Sequence, residues 1–209
     1  MGFVEVLKKR AKENIKTIVL PETEDMRTLE ATDKILKEGV AKIVLIGNEE
    51  TIKAKAAEGG FDISGATIVD PETSDRTQAY IDKFVELRAK KGMTPEKAKE
   101  ILHTQYPYYG VMMVKMGDAD GMVSGACHST ADTLRPCLQI LKTKPGTKLV
   151  SAFFLMVVPN CEYGANGAFV FADSGLNQNP TPEELSAIAA SSAESFQLLV
   201  QEEPIVAML

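Results

Sequence analysis

The first half of the chain alternates short apolar runs with longer segments whose apolar residues recur every three or four positions. The short runs, each stopped by Pro or Gly or by Asp-Pro, predict buried strands at residues 17–20, 43–46 and 67–69, and Met122-Val123 begins a fourth. The longer segments predict helices over residues 3–13, 25–38, 49–58, 75–91 and 107–117, with a further helix beginning at Thr94-Pro95. This alternation predicts a parallel sheet with helices on both faces, a three-layer α/β/α domain.

The pattern changes after the polar Pro/Gly segment 142–148, which predicts a domain boundary. We expect a first α/β domain over residues 1–146 and the beginning of a second α/β domain over residues 147–209. The elements predicted after the boundary are a strand at 149–158, its hairpin partner at 168–172, a helix at 182–200 and the opening of another strand at 204–209. Because chain termini usually lie at the surface, an end inside an apolar strand leads us to expect a truncated second domain.

Composition narrows the classes of protein. The chain has 209 residues, of which 44% are hydrophobic and 25% charged, as in ordinary globular proteins. A net charge of −6 without a long basic run argues against nucleic-acid binding. The three cysteines form no CxxC pair, which argues against a zinc site and favours a reducing cytoplasm. The longest apolar run is too short to cross a bilayer as a helix, and the N-terminus lacks the residue order of a signal peptide, so we expect no membrane association.

The strongest candidate for chemistry is the segment 124–136, which follows a short buried strand and leads into a helix. Small residues let backbone amides approach a ligand, and a helix N-terminus favours phosphate. Ser129 and Thr130 add hydroxyl donors, and Arg135 could supply a full positive charge. The alternative is a plain helix cap, because Ser129 with Asp132 fits the S-x-x-D capping box. The residues leave both interpretations open.

Two other segments carry polar groups into loops. Directly after the first strand come Glu22, Glu24 and Asp25, which could bind a metal or act as acid and base. Acidic residues also stabilise a helix N-terminus, and we favour that role for Glu24 and Asp25. The roles of Glu22 and Arg27 stay open.

The turn-rich loop 159–167 contains Cys161 beside Glu162. The only histidines are His103, expected to be structural or exposed, and His128, so a Cys–His pair would need His128 brought close in space. A neighbouring carboxylate raises a thiol pKa, which favours a buried or ligand-lining cysteine.

Arg88 ends the helix predicted over residues 75–91 and is followed by Lys90 and Lys91. Positive charges at the C-terminal end of a helix interact favourably with the helix dipole, which is one role for these residues. Together they also form a basic patch that could bind the phosphates of a nucleotide-type ligand.

Four segments, PETEDMRTLEA, DADGMVSGACHSTADTLRPCLQI, VVPNCEYGANGAFVFADSGLNQNP and SFQLLVQEEPIVAML, make the whole chain resemble the N-terminal portion of phosphotransacetylases. That family transfers acetyl reversibly between CoA and inorganic phosphate. The resemblance implies two α/β domains with a cleft between them, as in isocitrate and isopropylmalate dehydrogenases, and a cytoplasmic homodimer. It implies small-molecule substrates (acetyl-CoA, phosphate and acetyl phosphate), with CoA as a substrate and no metal or other cofactor.

Carried onto this sequence, the resemblance places the CoA-contacting arginines at Arg88 and Arg135 and the active-site cysteine at Cys161. Residues 128–130 (His128, Ser129 and Thr130) lie beside the phosphate-binding region. The implied mechanism is direct attack of the CoA thiolate on acetyl phosphate in a ternary complex, with Arg135 stabilising developing charge and Cys161 lining the cleft. Other catalytic groups of the family fall beyond Leu209, so we expect residues 1–209 alone to be inactive.

Two alternatives remain. A phosphate butyryltransferase shares this fold, and the shape of the pocket decides the length of the acyl chain. A non-catalytic module that binds acyl-CoA is the second. A nicotinamide-dependent dehydrogenase is disfavoured because no GxGxxG segment follows a strand.

Overall fold

The computed structural model describes residues 2–147 and 149–208, which divide into two units. One unit is Lys8–Lys142, and the other contains the remaining described residues. Lys148, in the predicted boundary segment, and Leu209, at the end of the predicted last strand, lie outside the described residues. The predicted boundary between two domains at residues 146 and 147 stays a prediction.

A four-stranded parallel sheet organises the first unit. Its strands are β1 (Thr17–Leu20), β2 (Lys42–Ile46), β3 (Thr67–Val69) and β4 (Gly121–Met122), in the spatial order β3-β2-β1-β4. β1 pairs with β2 on one side and with β4 on the other, so Val19 lies between Val44 and Met122. The predicted parallel sheet is confirmed.

Both faces of this sheet are buried, which explains why its strands read as continuous apolar runs. Val19, Val44 and Ile46 pack into one core cluster together with Phe84 and Tyr109. The intervening strand residues point the other way. Leu20, Ile43 and Leu45 pack against Leu29 and Ile52 in a second cluster. Alternate side chains of each strand therefore pack into two separate cores on opposite faces of the sheet, as expected for a sheet between two helical layers.

The helices lie within a few residues of their predicted positions. They are α1 (Phe3–Glu13), α2 (Met26–Glu38), α3 (Glu49–Gly59), α4 (Thr77–Arg88), α5 (Pro95–Thr104), α6 (Tyr106–Met116) and α7 (Thr130–Pro136). A 3₁₀ turn, Ala89–Lys91, continues α4, and a π-helical turn, Cys137–Leu141, continues α7. Residues of α2 and α3 line the second cluster, whereas α4, α5 and α6 line the first.

One glycine sets the distance between α6 and the sheet. A Cβ atom at Gly110 would lie 2.7 Å from the Met122 Sδ and 3.2 Å from the Val19 Cγ1. The first separation is too short for a carbon and a sulfur atom, so a larger residue at position 110 would require Met122 to move.

The second unit contains an antiparallel hairpin and a long helix. Strands β5 (Phe153–Val157) and β6 (Ala168–Ala172) pair as predicted, and α8 (Pro182–Val200) packs against β6. Thr181 and Glu184 form a reciprocal capping box at the start of α8.

The strand predicted over residues 204–209 is wrong for residues 204–208, which form no strand. These residues border an apolar cavity together with α8 and β6, but Ile205, Val206 and Met208 are exposed and their backbone pairs with no strand among the described residues. Apolarity alone predicted a strand, but a strand also needs a neighbour with which to exchange hydrogen bonds.

Within the described ranges, none of the helices has both the length and the apolar content needed to cross a membrane.

Candidate functional site

The candidate site forms where β1 and β4 end. These strands are parallel neighbours, so their carboxyl ends lie at the same edge of the sheet, where ligands of open α/β sheets gather. Residues 21–25 follow β1 and lead to α2, and residues 123–129 follow β4 and lead to α7. The two segments that stood out for their chemistry are therefore brought together by the strand order.

Glu22 joins these two segments. Its side chain is 3% exposed. Oε2 accepts hydrogen bonds from the backbone amides of Gly125 and Ala126, at 2.6 and 2.8 Å. Oε1 accepts from the amides of Cys127 and His128, at 3.0 and 2.9 Å, and lies 2.9 Å from the His128 Nδ1. Four successive amides thus point at one carboxylate, an arrangement that binds anions.

The charge of Glu22 is stabilised by these donors. Burial alone would raise the pKa of this carboxyl, but the hydrogen bonds from the amides of residues 126–128 and from the His128 ring outweigh it. Together they lower the pKa of Glu22 from 4.5 to about 2. The predicted anion-binding loop therefore already holds an anion, and that anion belongs to the protein.

Arg27 makes a second connection between the two segments. Its guanidinium donates to the Asp25 carboxylate and, from Nη2, to the Ala126 carbonyl oxygen. Asp25 caps α2 by accepting from the Arg27 amide, and the side-chain hydrogen bonds from Arg27 lower the pKa of that carboxyl. The helix-capping role predicted for Asp25 is confirmed, and Arg27 now has a defined contact.

Cys127 lies in the same loop but is poorly suited to act as a nucleophile. Its Sγ donates to the Glu24 Oε1 at 3.3 Å. Burial and the neighbouring Glu24 and Glu22 carboxylates raise the pKa of this thiol to about 12. At neutral pH the group is therefore a thiol, and the thiolate is the reactive form.

Among the described residues, one group has the composition of a metal site. Glu22, Cys127 and His128 each offer an atom within 4.8 Å of the others. Both oxygens of Glu22 already accept hydrogen bonds, so a metal ion would have to displace donors. The raised pKa of Cys127 also opposes formation of the thiolate that a metal requires. The arrangement fits a hydrogen-bonded anchor for the loop better than a metal centre.

Ser129 and Thr130 begin α7. The Ser129 Oγ accepts from the Asp132 amide, so the predicted helix cap at Ser129 is confirmed. The Asp132 carboxylate accepts from the Ser129 hydroxyl at 2.6 Å, so the reciprocal bond of a capping box to the Ser129 amide is not formed. Ser129 and Thr130 are both exposed. The seven residues of α7 carry Arg135 near their end, with its side chain 57% exposed and 3.7 Å from the Asp132 carboxylate.

Arg135 and Arg88 act on the same buried residue, Tyr108. Burial raises the pKa of the Tyr108 phenol, and the charges of Arg135 and Arg88 partly offset that rise. The Tyr108 ring also packs 5.7 Å from that of Phe84, one turn before Arg88 on α4. The helices that carry the two arginines, α4 and α7, both pack against α6, the helix of Tyr108.

Arg88 also lines a small cleft. The Arg88 Nε is buried and has no hydrogen-bond partner among the described residues. The cleft, of about 270 Å³, is lined by Arg88, Lys91 and Lys97 together with Glu100 and Thr104. The predicted basic patch therefore includes Arg88 and Lys91, with Lys97 from α5 as a third cation.

His103 and His128 both line a cavity of about 550 Å³ at the carboxyl ends of β1 and β2. The Nε2 of His103 is buried without a partner within the described ranges. Sequence reasoning gave His103 no functional role, since nothing in its neighbourhood along the chain marks this position.

Cys161 belongs to the second unit, in the loop between β5 and β6. It is half-buried, and its Sγ lies 3.9 Å from the Tyr163 carbonyl oxygen. The backbone of this loop approaches itself closely at Gly167. A Cβ atom there would lie 2.1 Å from the Val158 carbonyl oxygen, so a larger side chain would clash.

Comparison with known proteins decides the family. The sequence model described as "Phosphate acetyl/butaryl transferase" matches residues 2–209. The chain belongs to this family. It is 56% identical over 209 residues to a phosphate acetyltransferase of Acetivibrio thermocellus and 53% identical to one of Thermoanaerobacterium thermosaccharolyticum. It covers 62% and 63% of those two proteins, so it spans less than two thirds of the relatives that it matches.

Solved structures agree with this assignment. The EutD phosphotransacetylase from Staphylococcus aureus is 36% identical, with a TM-score of 0.85 over 95% of this chain and 58% of that one. A phosphotransacetylase from Streptococcus pyogenes is 38% identical, with a TM-score of 0.86 over the same shares of the two chains.

Within this family frame, the structure brings several of the predicted site residues together. His128, Ser129, Thr130 and Arg135 lie on one loop and the short helix after it. Glu22 was left undecided at the sequence level, although it is the residue that organises this loop. The available signal was its position directly after a strand, but the sequence could not show that β4 pairs with β1.

Proposed function

We propose that this chain contributes to phosphate acetyltransferase activity, the reversible transfer of acetyl between CoA and inorganic phosphate. The observation that carries the proposal is the 56% identity, over all 209 residues, to a phosphate acetyltransferase. CoA carries several phosphate groups, and guanidinium groups bind phosphate through charge-assisted hydrogen bonds. Arg88 lines a cleft with Lys91 and Lys97, and the Arg135 side chain is 57% exposed, so such a ligand can approach both residues.

The proposed reaction is a direct transfer between two bound substrates. The CoA thiolate attacks the carbonyl carbon of acetyl phosphate, a C–S bond forms, and the bond from carbon to the phosphate oxygen breaks. The thiol proton goes to a base and the electron pair leaves with phosphate. Holding both substrates together supplies much of the acceleration. We assign Arg135 to stabilise negative charge on the phosphate side, and the exposed hydroxyl of Thr130 to donate a hydrogen bond there. Ser129 stands beside them as the helix cap, because its one O–H donates to Asp132.

Cys161 has a supporting role in this proposal. We place it as a residue that lines the substrate site and does not carry the acyl group. The Cys161 side chain is half-buried, and its Sγ lies 3.9 Å from the carbonyl oxygen of Tyr163.

Binding of CoA tests the proposal directly. Titration calorimetry with CoA is performed on the parent chain and on Arg88→Gln and Arg135→Gln. We expect each substitution to weaken binding about 10-fold or more, because hydrogen bonds to charged groups contribute roughly 1.5–3 kcal/mol. Lys34→Gln is the matched control, since it also removes one exposed cation but on α2, where Lys34 pairs with Glu30. A parent chain that binds no CoA, or arginine variants that bind like the control, would refute the proposal.

Turnover separates the alternatives. Formation of acetyl-CoA from acetyl phosphate and CoA, compared with formation of butyryl-CoA from butyryl phosphate, decides between the two acyl groups that the family description names. Because the chain spans 62% of the length of its relative, we expect CoA binding without full turnover from residues 1–209 alone. Full turnover would contradict that expectation, and binding without any role in turnover would support the non-catalytic module.

The remaining expectations stay predictions. Homodimer formation follows only from the resemblance, as does the expectation that no cofactor beyond the substrate CoA and no metal is needed. A cytoplasmic location is supported by the three cysteines, Cys127, Cys137 and Cys161, which are all free thiols.

A further inference from the structure

We propose that Glu22 is a positioning residue: its buried carboxylate fills the amides of residues 125–128 as an internal anion and thereby fixes Ser129, Thr130 and Arg135 for the phosphate substrate. The inference rests on the proposed function for the identity of that substrate. Its structural core, that Glu22 determines the conformation of the loop 124–129, can be tested without any substrate.

The hydrogen bonds make this role specific to a carboxylate. Each oxygen of Glu22 accepts from two backbone amides, and Oε1 also faces the His128 Nδ1. A glutamine would keep one acceptor oxygen but turn an NH₂ group toward amide donors on the other side. An alanine would leave four amides without their acceptor. Neither residue can reproduce the arrangement.

The hydrogen bonds of Glu22 also join two segments that are far apart in the sequence. Glu22 and its partners lie 103–106 residues apart and come from the segments after two neighbouring strands. Arg27, from the same side, donates to the Ala126 carbonyl oxygen. The loop is therefore held through its amides and through one of its carbonyls, which fixes the peptide planes immediately before Ser129.

Because Glu22 already accepts from the amides of residues 125–128, an external anion has to bind to other groups of the loop. Because Glu22 is buried and hydrogen-bonded to four successive amides, phosphate has no access to them. The groups left at this end of the loop are the exposed side chains of Ser129, Thr130 and Arg135. Glu22 then acts on the substrate only through the loop, which defines a positioning role.

The experiment uses the parent chain, Glu22→Gln, Glu22→Ala and the control Asp33→Asn. Asp33 is a second buried carboxylate of the first unit, but it bonds the Asp62 amide and Lys37, away from the loop. The side-chain nitrogen resonances of His128 report on the loop by NMR. With two histidines in the chain, a His103→Gln variant assigns them. Phosphate affinity is measured separately by phosphorus NMR titration with inorganic phosphate.

We expect Glu22→Gln to shift the His128 Nδ1 resonance and to weaken phosphate binding about 10-fold, with both unchanged in Asp33→Asn. In Glu22→Ala, added formate should enter the vacated amides and restore the parent His128 resonance, whereas Glu22→Gln should not respond. A parent-like His128 resonance and phosphate affinity in Glu22→Gln overturn the proposal, and so does a folded Glu22→Ala that ignores formate. If Glu22→Ala does not fold, the glutamine variant alone decides.

The two proposals fail differently. A parent chain that binds neither CoA nor phosphate refutes the proposed function, while the His128 resonance and the formate response still show whether Glu22 determines the loop conformation. A chain that binds both substrates but keeps a parent-like loop in Glu22→Gln refutes only the positioning role.

Discussion

Glu22 in the first unit and Asp173 in the second are both carboxylates surrounded by hydrogen-bond donors, but their donors lie at very different separations along the sequence. Each carboxylate follows a strand and accepts from five donors in the described part of the chain. For Asp173 these are Ser151 Oγ, the amides of Ala152, Leu176 and Asn177, and Asn177 Nδ2. Its partners lie 3 to 22 residues away, whereas those of Glu22 lie 103 to 106 residues away.

That difference in range separates two roles. Asp173 stabilises a local turn after β6, and the donors that surround it lower the pKa of its carboxyl despite partial burial. Glu22 instead connects the ends of two paired strands and controls a loop that carries candidate substrate groups. A hydrogen-bonded carboxylate is therefore not itself a sign of function. What matters is which segments it joins and what they carry.

Removing each carboxylate should produce the largest effect and a clear difference between the two units. We expect Glu22→Ala to lower the free energy of unfolding by about 3 kcal/mol or more, because it leaves buried amides unsatisfied. Asp173→Ala should cost about 1–2 kcal/mol, since water can reach part of that turn. Urea unfolding of both variants measures the difference. Equal losses would break the comparison.

Acid should reveal the same carboxylate. The pKa of Glu22 is about 2 in the folded chain and 4.5 for an ordinary glutamate. A lowered pKa stabilises the folded state above pH 4.5, and that contribution is lost as the pH falls from 4.5 toward 2. The shift corresponds to roughly 3 kcal/mol. The difference in unfolding free energy between the parent and Glu22→Gln should therefore be constant above about pH 5 and should narrow as the pH falls from 4.5 toward 2. A difference that stays constant below pH 4.5 would contradict the lowered pKa.

The loop cysteine offers a smaller, kinetic test. Because the pKa of Cys127 is raised to about 12, its thiol should react with iodoacetamide at pH 7 roughly 100-fold more slowly than glutathione. Glu24→Gln should speed the reaction, since it removes the nearest carboxylate. Mass spectrometry of the Cys127 peptide follows the rate. A Cys127 that reacts as fast as glutathione would show that the carboxylates do not control it.

The smallest effect is expected in the second unit. Cys161→Ser should leave the affinity for CoA within about twofold of the parent, because a residue that only lines a site contributes little when a similar polar group replaces it. In any preparation that turns over, acetyl transfer should persist. Complete loss of turnover together with an acyl group trapped on Cys161 in the parent would require a covalent mechanism.

The sequence predicted much of this fold because buried side chains recur at the spacing of the helix or strand that carries them. Continuous apolar runs located β1, β2 and β3, and the helix ends predicted at residues 38 and 117 agree with those of α2 and α6 to within one residue. The same reasoning failed at residues 204–208, because apolar content cannot show whether a partner strand exists. It also left Glu22 undecided, because the order β3-β2-β1-β4 places β4 beside β1 only in three dimensions.

The site was predicted in part for the same reason. The small residues and hydroxyls of the loop after β4 left an anion site and a plain helix cap both open, and the structure shows its amides bonded to an anion and Ser129 capping α7. The sequence could not show that this anion is Glu22. Arg88 and Arg135 were separate signals along the chain, and the sequence could not show that their helices, α4 and α7, both pack against α6, the helix of Tyr108.

One titration tests the central claim, that Arg88 and Arg135 form a CoA-binding face around Tyr108. The ring resonances of Tyr108 are followed by NMR as CoA is added, with Tyr163, exposed in the other unit, as the internal control. The account predicts that the Tyr108 resonances shift in proportion to bound CoA and that Arg88→Gln and Arg135→Gln reduce the shift. CoA that binds while Tyr108 stays unshifted would place the ligand elsewhere and contradict the account.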